Sequence, residues 1–113
     1  MTSSSKVYVV QERPKLDISS AEQYGVLIPI FPERDQLYDP DAATKRIVRV
    51  MGNFTEQDYI LAVGHPTAIA AVTAVAARMN GGRFKMLVWH PDDRVYYAVQ
   101  WDVSRAPQRE ITL

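Results

Sequence analysis

The chain contains no cysteine, only two histidines, and no excess of either charge. Without thiols it has no disulfides, no thiolate metal site and no cysteine nucleophile. Thirteen basic residues balance thirteen acidic ones, so no global field draws the chain toward nucleic acid or anionic membrane. The longest weakly polar run is broken at Gly64, His65 and Pro66, which leaves no credible membrane span. Residues 1–6 are polar and lack the apolar core of a signal peptide. Five scattered glycines supply no glycine-rich phosphate loop. A Walker lysine, a dinucleotide fingerprint and a nucleophile elbow are also absent, so no catalytic residue can be assigned and no cofactor is expected.

What is present is a chain of 113 residues, 47% hydrophobic and 23% charged. That is an ordinary composition for one globular domain, long enough for a real core. Residues 1–5 read as a frayed leader and 104–113 as a tail or arm. Between them, KVYVVQ (residues 6–11) is a β-branched first strand, and Ser19 or Ser20 caps a short helical turn ending near Tyr24 and Gly25. VLIPIF (26–31) is the second strand, where Pro29 demands an edge position or a bulge. Asp39 followed by Pro40 starts the first helix, with Ile47, Val48 and Met51 as its apolar stripe and Gly52 as its stop.

Residues 59–63 (YILAV) form an apolar strand without alternation, as in a central strand covered on both faces. The second helix, 66–79, follows directly and ends at Asn80-Gly81-Gly82. Residues 84–89 and 95–103 then pair as a hairpin. In the last strand Val95, Tyr97, Val99, Trp101 and Val103 share one face, and the alternation with valine marks it as the core face. The expected fold is therefore α/β, a small mixed sheet of about five strands in the order β-β-α-β-α-β-β. It has a parallel Rossmann-like centre, a C-terminal hairpin and two main helices. Whether the helices cover one face or both stays open at this point.

The tract 59–103 resembles a family of small proteins encoded by tailed bacteriophages and related mobile elements. The resemblance rests chiefly on Val63-Gly64-His65-Pro66, Asn80-Gly81-Gly82-Arg83 and Leu87-Val88-Trp89. Residues 7–12 and Tyr24-Gly25 also fit. It implies a viral origin and a host-cytoplasmic location, and it implies no particular activity. It also implies aspartate at the position of His65, which weakens any proposal of a catalytic acid there.

Three places invite a functional reading. Gly64-His65-Pro66-Thr67 lies at the carboxyl end of a parallel strand, where α/β sheets bind ligands. The backbone amides near Thr67 and Ala68, the Thr67 hydroxyl and a protonated His65 together suit a phosphate or carboxylate. The simpler reading is a tight turn with a histidine cap. His90-Pro91-Asp92-Asp93 sets an imidazole beside two carboxylates, but a turn requires these residue types and a metal site needs more converging ligands, so no metal is expected. Lys45, Arg46 and Arg49 make a basic face on the first helix, while Trp89, Tyr96, Tyr97 and Trp101 lie on neighbouring strands. Because Tyr97 and Trp101 fall in the core pattern, nucleic acid is not an expected partner.

The second helix carries no charge before Arg78. A helix without a charged face is either covered on both sides by its own chain or keeps one side for another molecule. Ile69, Val72, Ala76 and Met79 are expected to pack on the sheet, leaving Ala71, Ala74 and Val75, with Arg78, as a candidate interface. The expectation is a non-enzymatic protein-binding module that forms a homodimer or engages a host protein. The alternative is a nucleotide- or anion-binding protein, an enzyme among the options, that uses the Gly64 to Thr67 turn.

Overall fold

The computed structural model describes residues 5–34 and 37–105. Five strands form one sheet: β1 (Lys6–Gln11), β2 (Val26–Phe31), β3 (Tyr59–Leu61), β4 (Arg83–His90) and β5 (Val95–Asp102). Two helices accompany them, α1 (Pro40–Val50) and α2 (Pro66–Met79), with 3-10 turns at Ser19–Tyr24 and Val103–Arg105. The spatial order is β2-β1-β3-β4-β5, parallel throughout except for the antiparallel β4–β5 hairpin. This is the small mixed α/β sheet expected from the sequence.

The layering follows from the handedness of the connections. The step from β1 to β2 runs one way along the sheet, whereas β2 to β3 and β3 to β4 run the other way. Right-handed crossovers then put the first 3-10 turn on one face and both helices on the opposite one. The two cores agree. Tyr8, Val10, Ile30, Ile60 and Phe84 pack against Ile47 of α1 and Ala68, Val72 and Ala76 of α2. Val7, Val9, Leu61, Leu87 and Tyr96 pack with Ala21 of the 3-10 turn on the other face.

The strand covered on both faces most completely is β1, where five of six residues are buried. Regular β3 is shorter than the 59–63 expected, stopping at Leu61. The Gln11 amide still donates to the Val63 carbonyl at 3.0 Å, which carries the β1–β3 seam toward the α2 turn. Pro29 sits opposite Val9 on β2, an edge strand, as its missing donor requires. In α1, Asp39 Oδ1 accepts from the Asp41 and Ala42 amides at 3.1 and 3.2 Å, satisfying donors the first turn leaves open. Ile47 and Met51 are buried, but Val48 faces solvent and Val50 packs inward in its place.

The last strand corrects the sequence reading. The buried residue of β5 is Tyr96, whose backbone carbonyl accepts the Tyr24 hydroxyl at 2.6 Å. The supposed core face is open instead: Val95, Tyr97, Trp101 and Val103 are 42, 43, 49 and 46% exposed. Alternation tells which residues share a face, not which face is covered. Here α2 packs chiefly over β1 and β4, and no residue of β5 joins the core beneath it. Of the expected tail, Ser104 and Arg105 belong to the closing 3-10 turn, and Val103 donates to the Gly82 carbonyl at 2.9 Å. Residues 1–4 and 106–113 lie outside the described residues.

Candidate functional site

Because β1 and β3 are neighbours whose connections leave in opposite directions, their carboxyl ends form the switch point of the sheet. The residue at its centre is Gln11, a buried polar side chain. Its Oε1 accepts the His65 backbone N–H at 2.8 Å, and its Nε2 donates to the carbonyls of Pro32 and Glu33 at 3.2 and 3.4 Å. One amide thus ties the end of β1 to the turn before α2 and to the loop after β2. Gly64 makes this possible, at φ +122° and close against Gln11.

The structure places the proposed anion-binding residues as follows. His65 and Thr67 are exposed, Gly64 is partly covered, and Ala68 is buried under the helix. His65 Nδ1 accepts the Thr67 amide at 3.2 Å, so the imidazole caps α2 with an unprotonated nitrogen. An anion taking the Thr67 amide must first displace that imidazole. His65→Asp supplies a better acceptor of matching sign for the helix dipole, and is expected to raise stability by about 0.5–1 kcal/mol. His65→Ala is expected to lower it by a similar amount. Urea unfolding of both variants checks the pair, and equal stability of the two would remove the capping role.

Two hollows flank this switch point. One, about 440 Å³, is lined by Arg13, Lys15, Leu16, Glu33, Val63 and Gly64. It brings two cations to Gly64 that no local motif announced, because they lie on a loop after β1. The other, about 770 Å³, runs over the opposite face between the 3-10 turn and the ends of β3 and β4. Leu16, Leu61, Leu87, Trp89 and Tyr96 wall it, and Asp17 and Arg94 stand at its rim. Burial raises the Tyr96 hydroxyl above its ordinary pKa, and Asp17 adds to the effect. The Asp17 carboxyl is held below its usual value by hydrogen bonds from Ser19.

His90-Pro91-Asp92-Asp93 forms the β4–β5 turn, closed by the Arg94 amide on the His90 carbonyl at 2.8 Å. Among the described residues no group of three or more histidines and carboxylates converges as a metal site. The basic face of α1 and the aromatic residues of β5 stand near opposite edges of the sheet, since α1 packs against β2 and β5 is the far strand. They do not line a common groove, although Tyr97 and Trp101 are open, contrary to the core position expected for them.

The charge-poor helix is largely covered by its own chain. Ala68, Val72 and Ala76 are buried, and Ile69, Ala71, Val75 and Ala77 pack partly against the same core. Of the four candidate interface residues, Ala71 and Val75 are therefore partly covered, while Ala74 and Arg78 face outward. Met79, expected on the sheet side, is exposed. The larger open apolar area lies beside α2, on β5. Trp101 stacks on Phe84 across the hairpin at 6.5 Å, and Tyr97 leans on the His90 ring at 5.8 Å. These contacts hold both rings in place at the surface.

No helix of the described residues is long and apolar enough to cross a membrane. No curated protein and no solved structure matches the chain. The profile of the Phage Pam3 gp32-like proteins matches residues 5–103, a span that takes in the whole sheet, the Gln11–Gly64 switch point and the open face of β5. Both candidate surfaces therefore lie within the matched domain, and the chain belongs to the Phage Pam3 gp32-like protein family.

Proposed function

We propose that this phage protein is a non-enzymatic protein-binding module working in the host cytoplasm, and that it docks through the open face of β5. A second copy of the chain or a host protein is the partner. One observation carries the reading: Val95, Tyr97 and Trp101 lie on one face of β5, with Val103 of the closing 3-10 turn just beyond, and each is about half exposed. A contiguous apolar patch of this kind on a small domain marks an interaction surface. Aromatic side chains supply large contact area at low entropic cost, which is why they dominate binding hot spots. The exposed flank of α2 at Ala74 and Arg78 borders the same face of the sheet.

The double variant Tyr97→Ser/Trp101→Ser is expected to keep its fold by far-UV circular dichroism and to lose its association, whether with itself or with a host protein. An association unchanged by the double variant would move the interface elsewhere. A second reading, an anion- or nucleotide-binding protein, is favoured by Arg13 and Lys15 lining the hollow at Gly64. It requires millimolar phosphate, ATP or NAD to shift the amide resonances of Gly64 and Thr67. Unmoved resonances with all three would discard it.

A further inference from the structure

The two edges of the sheet differ in length and composition. β2, six residues interrupted by Pro29, has its Ile30 carbonyl taken by the Arg46 guanidinium at 2.6 Å. β5, with eight residues (VYYAVQWD), has neither proline, glycine nor lysine, and no strand among the described residues pairs with its outer side. Its Tyr96 carbonyl accepts the Tyr24 hydroxyl at 2.6 Å. The rest of this long apolar edge is a template for another strand.

Its sequence also reads against itself. When two copies pair about a twofold axis perpendicular to the sheet, each face continues into the same face. Only registers that set like-facing residues opposite each other are then allowed. The register centred on Ala98 pairs Val95 to Trp101 of the two copies, with Arg94 of the hairpin turn just beyond. It places Arg94 opposite Asp102 of the second copy, Val95 opposite Trp101 and Tyr97 opposite Val99, each pair occurring twice. Opposite charges and aromatic–β-branched pairs across strands are the combinations that stabilise a sheet. The smallest side chain of the strand falls on the axis, where the two copies meet the same residue.

Resting on the protein-binding reading, we infer that the occupant of this edge is a second copy of the chain. β5 pairs antiparallel with β5 about an axis through Ala98, making one continuous ten-stranded sheet. The pairing buries part of Tyr97, Val99 and Trp101 against their cross-strand mates, and the two copies satisfy the outward backbone groups of β5 other than the Tyr96 carbonyl, which keeps the Tyr24 hydroxyl.

The absence of native cysteine makes the test clean, since an introduced thiol is the only one. Residues directly opposite in an antiparallel pair have Cα atoms about 4.5–5.5 Å apart, within the span of a disulfide. Ala98→Cys is therefore expected to form an intermolecular disulfide under mild oxidation at least tenfold faster than Gln100→Cys. In the inferred register the two thiols of Gln100→Cys lie four residues apart along the strands, about 14 Å. Equal rates for the two variants would overturn the inference, because they would reflect collision alone. Fastest cross-linking by Val99→Cys would overturn it in favour of a register slid so that Tyr97 meets Trp101. Light scattering separates this from failure of the broader reading. A wild-type monomer that still forms a host complex, lost in Tyr97→Ser/Trp101→Ser, would end the self-pairing and leave the binding module standing. A monomer with no such complex would end both.

Discussion

Replacing Gly64 by alanine is expected to lower the unfolding free energy by about 3 kcal/mol or more, with a fall in melting temperature of about 10 °C. Two effects add. Gly64 holds φ +122°, a region that L side chains rarely adopt, and residues forced there cost about 1–3 kcal/mol each. The added Cβ would also stand 2.4 Å from Gln11 Cβ and 3.0 Å from its Oε1. That neighbour cannot swing aside cheaply. It is the root of a buried side chain, fixed by the His65 amide at one end and by the Pro32 and Glu33 carbonyls at the other. Relief of the clash means breaking the bonds that join β1, the α2 turn and the β2–α1 loop. Urea denaturation checks the size of the effect, and a loss under about 1 kcal/mol would show that the switch point is looser than its geometry implies.

Asp58→Ala is expected to cost about 2–4 kcal/mol, at the opposite end of the same strands. Asp58 is 2% exposed, and its two oxygens are spent separately. Oδ1 accepts the Lys6 amide at 3.0 Å, tying in the start of β1. Oδ2 accepts the Thr55 amide at 2.9 Å, shaping the turn before β3. Alanine removes both acceptors and leaves two backbone donors without their partners in a part-buried site, where each lost bond costs about 1–2 kcal/mol. Asp58→Asn keeps one carbonyl oxygen of the same shape and is expected to lose roughly half as much. Hydrogen exchange at Lys6 and Thr55 provides the local readout. Unchanged protection at both amides in the alanine variant would contradict the assignment.

Much of the fold was legible because it is written in local chemistry. Asp39-Pro40 fixes the start of α1, and Pro29 sends β2 to an edge. The bounds of β1 and β2 follow from their apolar runs. The layering was not legible from any single segment. It depends on β1 lying between β2 and β3, and only that order puts the 3-10 turn on one face and both helices on the other.

The candidate sites divide along the same line. His65 was readable as a cap because its partner is two residues away. Gln11 carries no local signal at all, and only the β1–β3 pairing brings it to the turn at Gly64. Arg13 and Lys15 reach the same hollow for the same reason.

The face of β5 shows a different limit. The alternation of Val95, Tyr97, Val99, Trp101 and Val103 is real, but a cover must exist before an apolar face becomes a core. The chain spends α2 on β1 and β4, and it spends the 3-10 turn on Tyr96 through the Tyr24 hydroxyl. What remains is an apolar strand face that the helices leave about half exposed. The charge-poor character of α2, by contrast, is mostly accounted for within the chain, since Ala71 and Val75 join Val72 and Ala76 against the core.

The inferred pairing makes β5 the place where this protein meets a second copy of itself. Light scattering of the purified wild type beside Tyr97→Ser/Trp101→Ser, at the same micromolar concentrations, tests it most directly. Pairing through β5 gives twice the 12.8 kDa chain mass for the wild type and a single chain for the variant. The same mass for both proteins would contradict it.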